Sequence, residues 1–191
     1  MSARMFVAVV PPEDVIAELS DFLDPRRDAD SELRWTRPEQ WHVTLAFLPS
    51  VADRSLDRLI DGLAQTAAKR QPFQLALAGA GAFPDPARAK LLWQGVTGDV
   101  AELAGLAESA RNAANSAGTE VDGATFRPHL SLARVNRPRN VSRWIRIFDT
   151  YYSPTWTVDN VELVESHLGQ GPGGSPRYQV QEQFPLTASK E

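Results

Sequence analysis

Residues 41–48 read WHVTLAFL, and the fold turns on this stretch. Trp41, Val43, Leu45 and Phe47 alternate with His42, Thr44 and Ala46. That period of two predicts a strand with one face on a core and an imidazole and a hydroxyl side by side on the other. Residues 125–134, TFRPHLSLAR, repeat the frame, so that His42-Val43-Thr44-Leu45 is matched by His129-Leu130-Ser131-Leu132.

Working outward, residues 5–10 (MFVAVV) predict a strand that ends at Pro11 and Pro12. A helix follows, with Val15, Ile16, Leu19, Phe22 and Leu23 on one face and Glu13 and Asp14 in its first turn, where the helix dipole favours negative charge. After a polar loop come Leu33-Arg34-Trp35 and the turn signal Arg37-Pro38. Leu56, Leu59, Ile60, Leu63 and Ala67 mark a second amphipathic helix. Strands at 73–77 and 91–96 are separated by a Gly/Pro-rich connector at 79–86. A third helix is expected over 100–114, a short fourth through Val141, Trp144, Ile145 and Phe148, and final strands over 155–165 and 178–184. Helices and strands intersperse without a strict βαβ repeat, which makes the class α+β.

The composition narrows the chemistry. There is no cysteine in 191 residues, which excludes disulfides, thiolate metal sites and a Cys nucleophile. No stretch approaches the ~20 apolar residues of a membrane span, so no membrane partner is expected and the protein is expected to be cytoplasmic. A net charge of −4 argues against a chain that wraps nucleic acid over its whole surface. The local exception is 127–146, with six arginines and no acid, which around His129 predicts an anion-binding surface.

Two imidazoles and two hydroxyls facing each other across a cleft suit general acid–base cleavage of a phosphodiester. A neutral ring takes a proton from water while a protonated ring supplies one to the departing oxygen. Hydroxyls and an arginine such as Arg134 can hold the non-bridging oxygens. The rival, a two-histidine metal site, lacks a carboxylate in either motif and any HExxH, so neither metal nor cofactor is expected.

The chain resembles the 2H phosphoesterase superfamily, in particular the RNA 2′,3′-cyclic phosphodiesterases (2′-5′ RNA ligase-like proteins). The likeness is carried by MFVAVVPPE, RWTRPEQWHVTLAFL, FRPHLSLAR and LVESHLGQGPGGSPRYQV. Two positions depart from the family pattern: Ser131, where threonine is usual, and Pro49, where glycine is usual and the loop leaving the strand is expected to change. The resemblance implies one bilobal domain over 1–191, with two antiparallel-rich sheets and flanking helices around a central groove and one motif strand from each lobe. It implies His42 and His129 as catalytic residues, and Thr44, Ser131 and Arg134 as phosphate-binding. It also implies opening of an RNA-terminal cyclic phosphate to a 2′-phosphomonoester. In-line geometry places the base opposite the leaving O3′; His129 is taken as base and His42 as acid, although the motifs are too symmetric for sequence to decide. RNA ends or small cyclic nucleotides are the expected partners, and the protein is expected to be a monomer. The alternatives are a non-catalytic RNA-end binding module and an enzyme acting on 2′-5′ linkages.

Arg127, Phe47 and Trp35 are further candidate substrate contacts. Trp41, Trp93, Trp144 and Trp156 are expected in the core, His167 in an exposed loop, and residues 171–174 in a turn.

Overall fold

The computed structural model describes residues 1–188. Its strands in chain order are β1 (Ser2–Val9), β2 (Leu33–Trp35), β3 (Val43–Ala52), β4 (Phe73–Phe83), β5 (Ala89–Gly98), β6 (His129–Arg139), β7 (Trp156–Val158), β8 (Asn160–His167) and β9 (Arg177–Pro185). The helices are α1 (Glu13–Leu23), α2 (Asp53–Ala68), α3 (Val100–Ser116) and α4 (Ser142–Phe148). The α+β class is as expected.

Helix α1 forms where the prolines stop β1. The Pro12 carbonyl accepts from the Ile16 N–H at 3.0 Å, and Val15, Leu19 and Leu23, one per turn, are fully buried. Helix α2 buries Leu59, Leu63 and Ala67 in the same rhythm, and α3 buries Leu103, Leu106, Ala107, Ala110 and Ala114. The two helices approach closely at Gly62, where an added Cβ would lie 3.3 Å from that of Ala113.

Among the described residues the strands form one antiparallel, nine-stranded sheet in the order β7-β4-β5-β6-β3-β1-β8-β9, with β2 also on β6. The two sheets anticipated from the family are therefore two arms of a single one. Their seam is thin: β3 and β6 register through one pair, Val43 with Leu130. Both residues are fully buried, so the seam is anchored in the core while the motif faces stay open.

Several boundaries differ from the sequence reading. The connector at 79–86 is mostly strand, because Gly79 (φ 74°) absorbs a bulge and β4 then continues to Phe83. Residues 125–128 carry no regular structure, and β6 begins at His129 itself. The strand expected over 155–165 breaks at Asp159 into β7 and β8. His167 closes β8 rather than lying in a loop, and its Nε2 stands 3.6 Å from a Glu165 carboxylate oxygen. Pro49 does not end β3. It lies within a bulge, where Ala3 pairs with Val51 and Met5 with Leu48, and a bulge tolerates a residue lacking an N–H.

Candidate active site

The two motif strands have the same local build. His42 immediately precedes β3 and His129 opens β6. Each ring is tethered to the carbonyl two residues before it: His42 Nδ1 lies 2.7 Å from the Gln40 oxygen and His129 Nδ1 2.6 Å from the Arg127 oxygen. A carbonyl only accepts, so Nδ1 carries the hydrogen in both rings. Nε2 is left as the working nitrogen of each.

The likeness continues past the hydroxyls. Residues 42–48 (HVTLAFL) and 129–135 (HLSLARV) share one burial pattern: half-buried His and Thr or Ser, then two consecutive buried residues. The cause is a bulge at the same place in each strand. Across β1 and β3, Val7 pairs with Ala46 and Ala8 with Thr44, so Leu45 is extra. Across β5 and β6, Leu92 pairs with Ala133 and Trp93 with Ser131, so Leu132 is extra. Each bulge inverts the alternation. Phe47, expected on the core face with Trp41 and Val43, instead shares the His42 face, and Arg134 occupies the corresponding place beside Ser131.

Extending the Val43–Leu130 register by one residue each way sets His42 across from Ser131 and Thr44 across from His129. Residues directly opposite in an antiparallel pair have Cβ atoms about 4.5–5.5 Å apart. The two imidazoles thus occupy one diagonal of a small rectangle and the two hydroxyls the other.

A cavity of about 370 Å³ opens beside this rectangle, bordered by His42, Thr44, Phe47, Ser131, Arg134 and Trp35 among others. His129 and Arg127 are not part of that wall; what Arg127 gives the site is its backbone carbonyl, which holds the His129 ring. Sequence reasoning missed much of the rest of the wall, including Arg4 and Phe6 from β1, Arg34 from β2 and Tyr178 from β9. They lie outside the two histidine strands, and only the curl of the sheet brings them in. Trp93, expected in the core, is half-buried with its ring centroid 6.1 Å from that of His129. The arginine cluster at 127–146 does not converge on the cavity either. Arg134 alone of it lines the wall, while Arg139 is neutralised by Asp30.

Aromatic rings clamp each imidazole. Phe6 stacks on His42 at 4.5 Å with 19° between planes, and Tyr178 meets it edge-on at 5.6 Å. Phe83 meets His129 edge-on at 4.9 Å. This apolar packing disfavours the charged form. Burial pushes His42 down to about 4, the charge of His129 adds to the depression, and the Gln40 carbonyl opposes it. Burial likewise lowers His129, against the pull of the Arg127 carbonyl. Tyr178 is raised by burial, with Arg134 and Arg4 acting in the other direction. Among the described residues, no group of three His, Cys, Asp or Glu is placed to hold a metal ion. No helix among them is long and apolar enough to cross a membrane.

An α+β chain whose curled antiparallel sheet joins two histidine–hydroxyl strands belongs with the 2H phosphoesterases. The family pattern of the 2′-5′ RNA ligase superfamily matches residues 11–170, and the chain is a member of that family. It is 36% identical over 135 residues to the RNA 2′,3′-cyclic phosphodiesterase of Geobacillus stearothermophilus, a match covering 69% of this chain and 42% of that protein, so the chain spans less than half the length of that relative. It is 30% identical to the enzyme of the same name from Methanothermobacter thermautotrophicus, over 73% of this chain and 75% of that one. The crystal structure of a Thermus thermophilus protein, TT0787, superposes with a TM-score of 0.81 at 27% identity, covering 98% of this chain and 100% of that one.

Proposed function

We propose that this chain hydrolyses the 2′,3′-cyclic phosphodiester at an RNA end to a 2′-phosphomonoester, with His42 and His129 as acid and base. The observation that carries this reading is the matched pair of Nδ1-tethered imidazoles, each with a hydroxyl residue two places on and Nε2 left as its working nitrogen. The names of its relatives supply the substrate class.

The cavity lies on the His42 side of the rectangle, with Trp35, Phe47 and Tyr178 as surfaces for ribose and base. A nucleotide seated there turns O3′ toward His42 and leaves the phosphorus open to water from the His129 side. His129 Nε2 then removes the water proton as the new P–O bond forms, and His42 Nε2–H protonates O3′ as the P–O3′ bond breaks. The phosphate stays on O2′. Thr44, Ser131 and Arg134 hold the non-bridging oxygens while charge builds on them. In the empty site both rings are driven toward neutrality, and the anionic phosphate offsets that desolvation, so His42 is charged by the arrival of substrate.

Mass analysis of a short RNA ending in a 2′,3′-cyclic phosphate, incubated with EDTA, tests the reading. The expected product is heavier by one water and co-migrates with the 2′-phosphate standard, not the 3′-phosphate. Full activity in a His42→Ala, His129→Ala double variant would overturn it.

A further inference from the structure

Arg34 and Arg134 stand directly opposite each other in the antiparallel register of β2 and β6. Like charges placed so repel, and a fold keeps them there only against some other gain. Among the described residues neither guanidinium is paired with a carboxylate; Glu39 pairs with Arg37 and Asp30 with Arg139. Arg34 reaches only the Gly173 carbonyl, at 3.4 Å. A third guanidinium, that of Arg4, lies 4.3 Å above the Phe47 ring, and among the described residues no Asp or Glu lines the cavity the three arginines share.

This is more positive charge than a cyclic phosphodiester, a monoanion, needs. Its placement is also too extended for one phosphate. Arg134 lies three residues beyond Ser131 on β6, so the Arg34/Arg134 pair is rooted roughly 10 Å along the strand from the motif hydroxyl. Strand β2 takes the edge of β6 that β3 leaves after Leu130, which puts Arg34 over the continuation of the same groove. The wall opposite is the stretch Gly174, Ser175 and Pro176, tied down where Gln40 Nε2 donates to the Pro176 carbonyl at 2.6 Å.

We propose that Arg34, standing opposite Arg134, forms a second phosphate subsite that takes the internucleotide phosphate on the 5′ side of the terminal nucleotide while Arg134 serves the terminal phosphate, so that the site selects a chain end over a free cyclic mononucleotide. The inference rests on the hydrolase reading above and adds to it the minimal substrate, a dinucleotide. The Gly173 carbonyl is the placeholder that the phosphate displaces from Arg34.

The test compares kcat/KM for three substrates: a cyclic mononucleotide, the same with a 5′-phosphate, and a dinucleotide ending in a 2′,3′-cyclic phosphate. Each is assayed with wild type, Arg34→Gln and Arg34→Lys. Wild type should favour the dinucleotide over the plain mononucleotide by at least about tenfold. Arg34→Gln should collapse that ratio by about tenfold, the scale of one charge-assisted hydrogen bond, and Arg34→Lys should recover part of it. A methylphosphonate at the internucleotide linkage should cost wild type the same factor and cost Arg34→Gln nothing more. An equal loss on all substrates, or none, overturns the subsite. A 5′-phosphorylated mononucleotide as good as the dinucleotide overturns chain-end selection. Absence of turnover on every substrate would instead fail the hydrolase reading. In that case the anisotropy of a fluorescein-labelled RNA with a cyclic end, its last linkage charged or methylphosphonate, decides the subsite through the same tenfold difference in Kd and its loss in Arg34→Gln.

Discussion

Replacing Gly81 by alanine adds a single methyl group, and the structure specifies where it goes. Gly81 pairs with Trp93 across β4 and β5. A Cβ at position 81 would lie 2.1 Å from Trp93 Cζ2, 2.4 Å from Cη2 and 2.7 Å from Cε2. Carbon contacts settle at about 3.5–4.0 Å, so the indole must withdraw by more than an ångström. Phe83, 5.3 Å away and tilted at 41°, blocks one direction and the His129 ring stands on the same side. Overpacking of this kind costs about 1–3 kcal/mol. In a chain of this length each kcal/mol moves Tm by roughly 2–4 °C, so the expected fall is about 4–8 °C for a midrange cost. Activity should fall further than stability accounts for, because a displacement of about 1 Å at a reacting group can cost about a hundredfold. Thermal melts and kcat/KM on a cyclic-ended RNA read the two effects separately. Adding Trp93→Leu removes the colliding ring, so the double variant should regain most of the lost Tm while leaving His129 with one aromatic neighbour fewer and activity still low. A Gly81→Ala protein that melts with wild type, or a double variant no more stable than the single, would refute the reasoning.

The remaining expectations concern the site itself. His42→Asn and His129→Asn retain a donor near the Nδ1 position but no titratable nitrogen, so each should lower kcat by about 10²–10⁴-fold with melting curves unchanged or raised. For stability, the depressed His42 ring means that the unfolded chain binds its proton first. The resulting stabilisation, at most about 3 kcal/mol, is full above pH 6.5 and is lost as pH falls toward 4. Urea midpoints from pH 7.5 down to 4.5 should show that slope, and His42→Asn should flatten it. For activity, an acid with a depressed pKa places the alkaline limb of kcat/KM below the ordinary histidine range, whereas the limb of kcat, which reports the anion-bound complex, should lie higher. Coincident limbs would count against charging of His42 by substrate. Ser131→Thr should leave kcat/KM within a few-fold, while Ser131→Ala should lower it by about 10–100-fold through loss of one donor to the phosphate.

Much of this was legible in the residues because strand periodicity and histidine chemistry are local. The alternation in 41–46 places His42 and Thr44 on one face without any knowledge of neighbours, and the same holds for His129 and Ser131. The helices announced themselves through apolar spacing alone, down to Val15, Leu19 and Leu23. What escaped is what depends on pairing. A bulge is defined by the residue count on the partner strand, so no inspection of 41–48 could show that Leu45 is extra and that Phe47 changes face. Gly79 and Gly81 looked like punctuation, yet one absorbs a bulge and the other makes room for an indole inside the strand. Phe6 and Tyr178 sit in stretches that read as strand, and Arg4 just ahead of one. They line the cavity beside His42 because β1 and β9 bring them there.

The two bulges also account for an asymmetry in an otherwise repeated device. Without them the residue five places after each histidine would be buried, and the site would end at the hydroxyls. With them, position five returns to the open face, and the two strands use it differently. On β3 it is Phe47, a ring capped by Arg4 and suited to a base or ribose; on β6 it is Arg134, a guanidinium suited to phosphate. Two near-identical imidazole–hydroxyl units thereby receive a substrate in one orientation, base toward β3 and phosphate chain toward β6 and β2. It is this difference at position five, not any difference between the histidines, that separates the proposed acid from the proposed base. Exchanging the pair, Phe47→Arg with Arg134→Phe, should therefore cost far more in kcat/KM than either ring's tether would predict, because the substrate loses its polarity in the groove while both imidazoles remain in place.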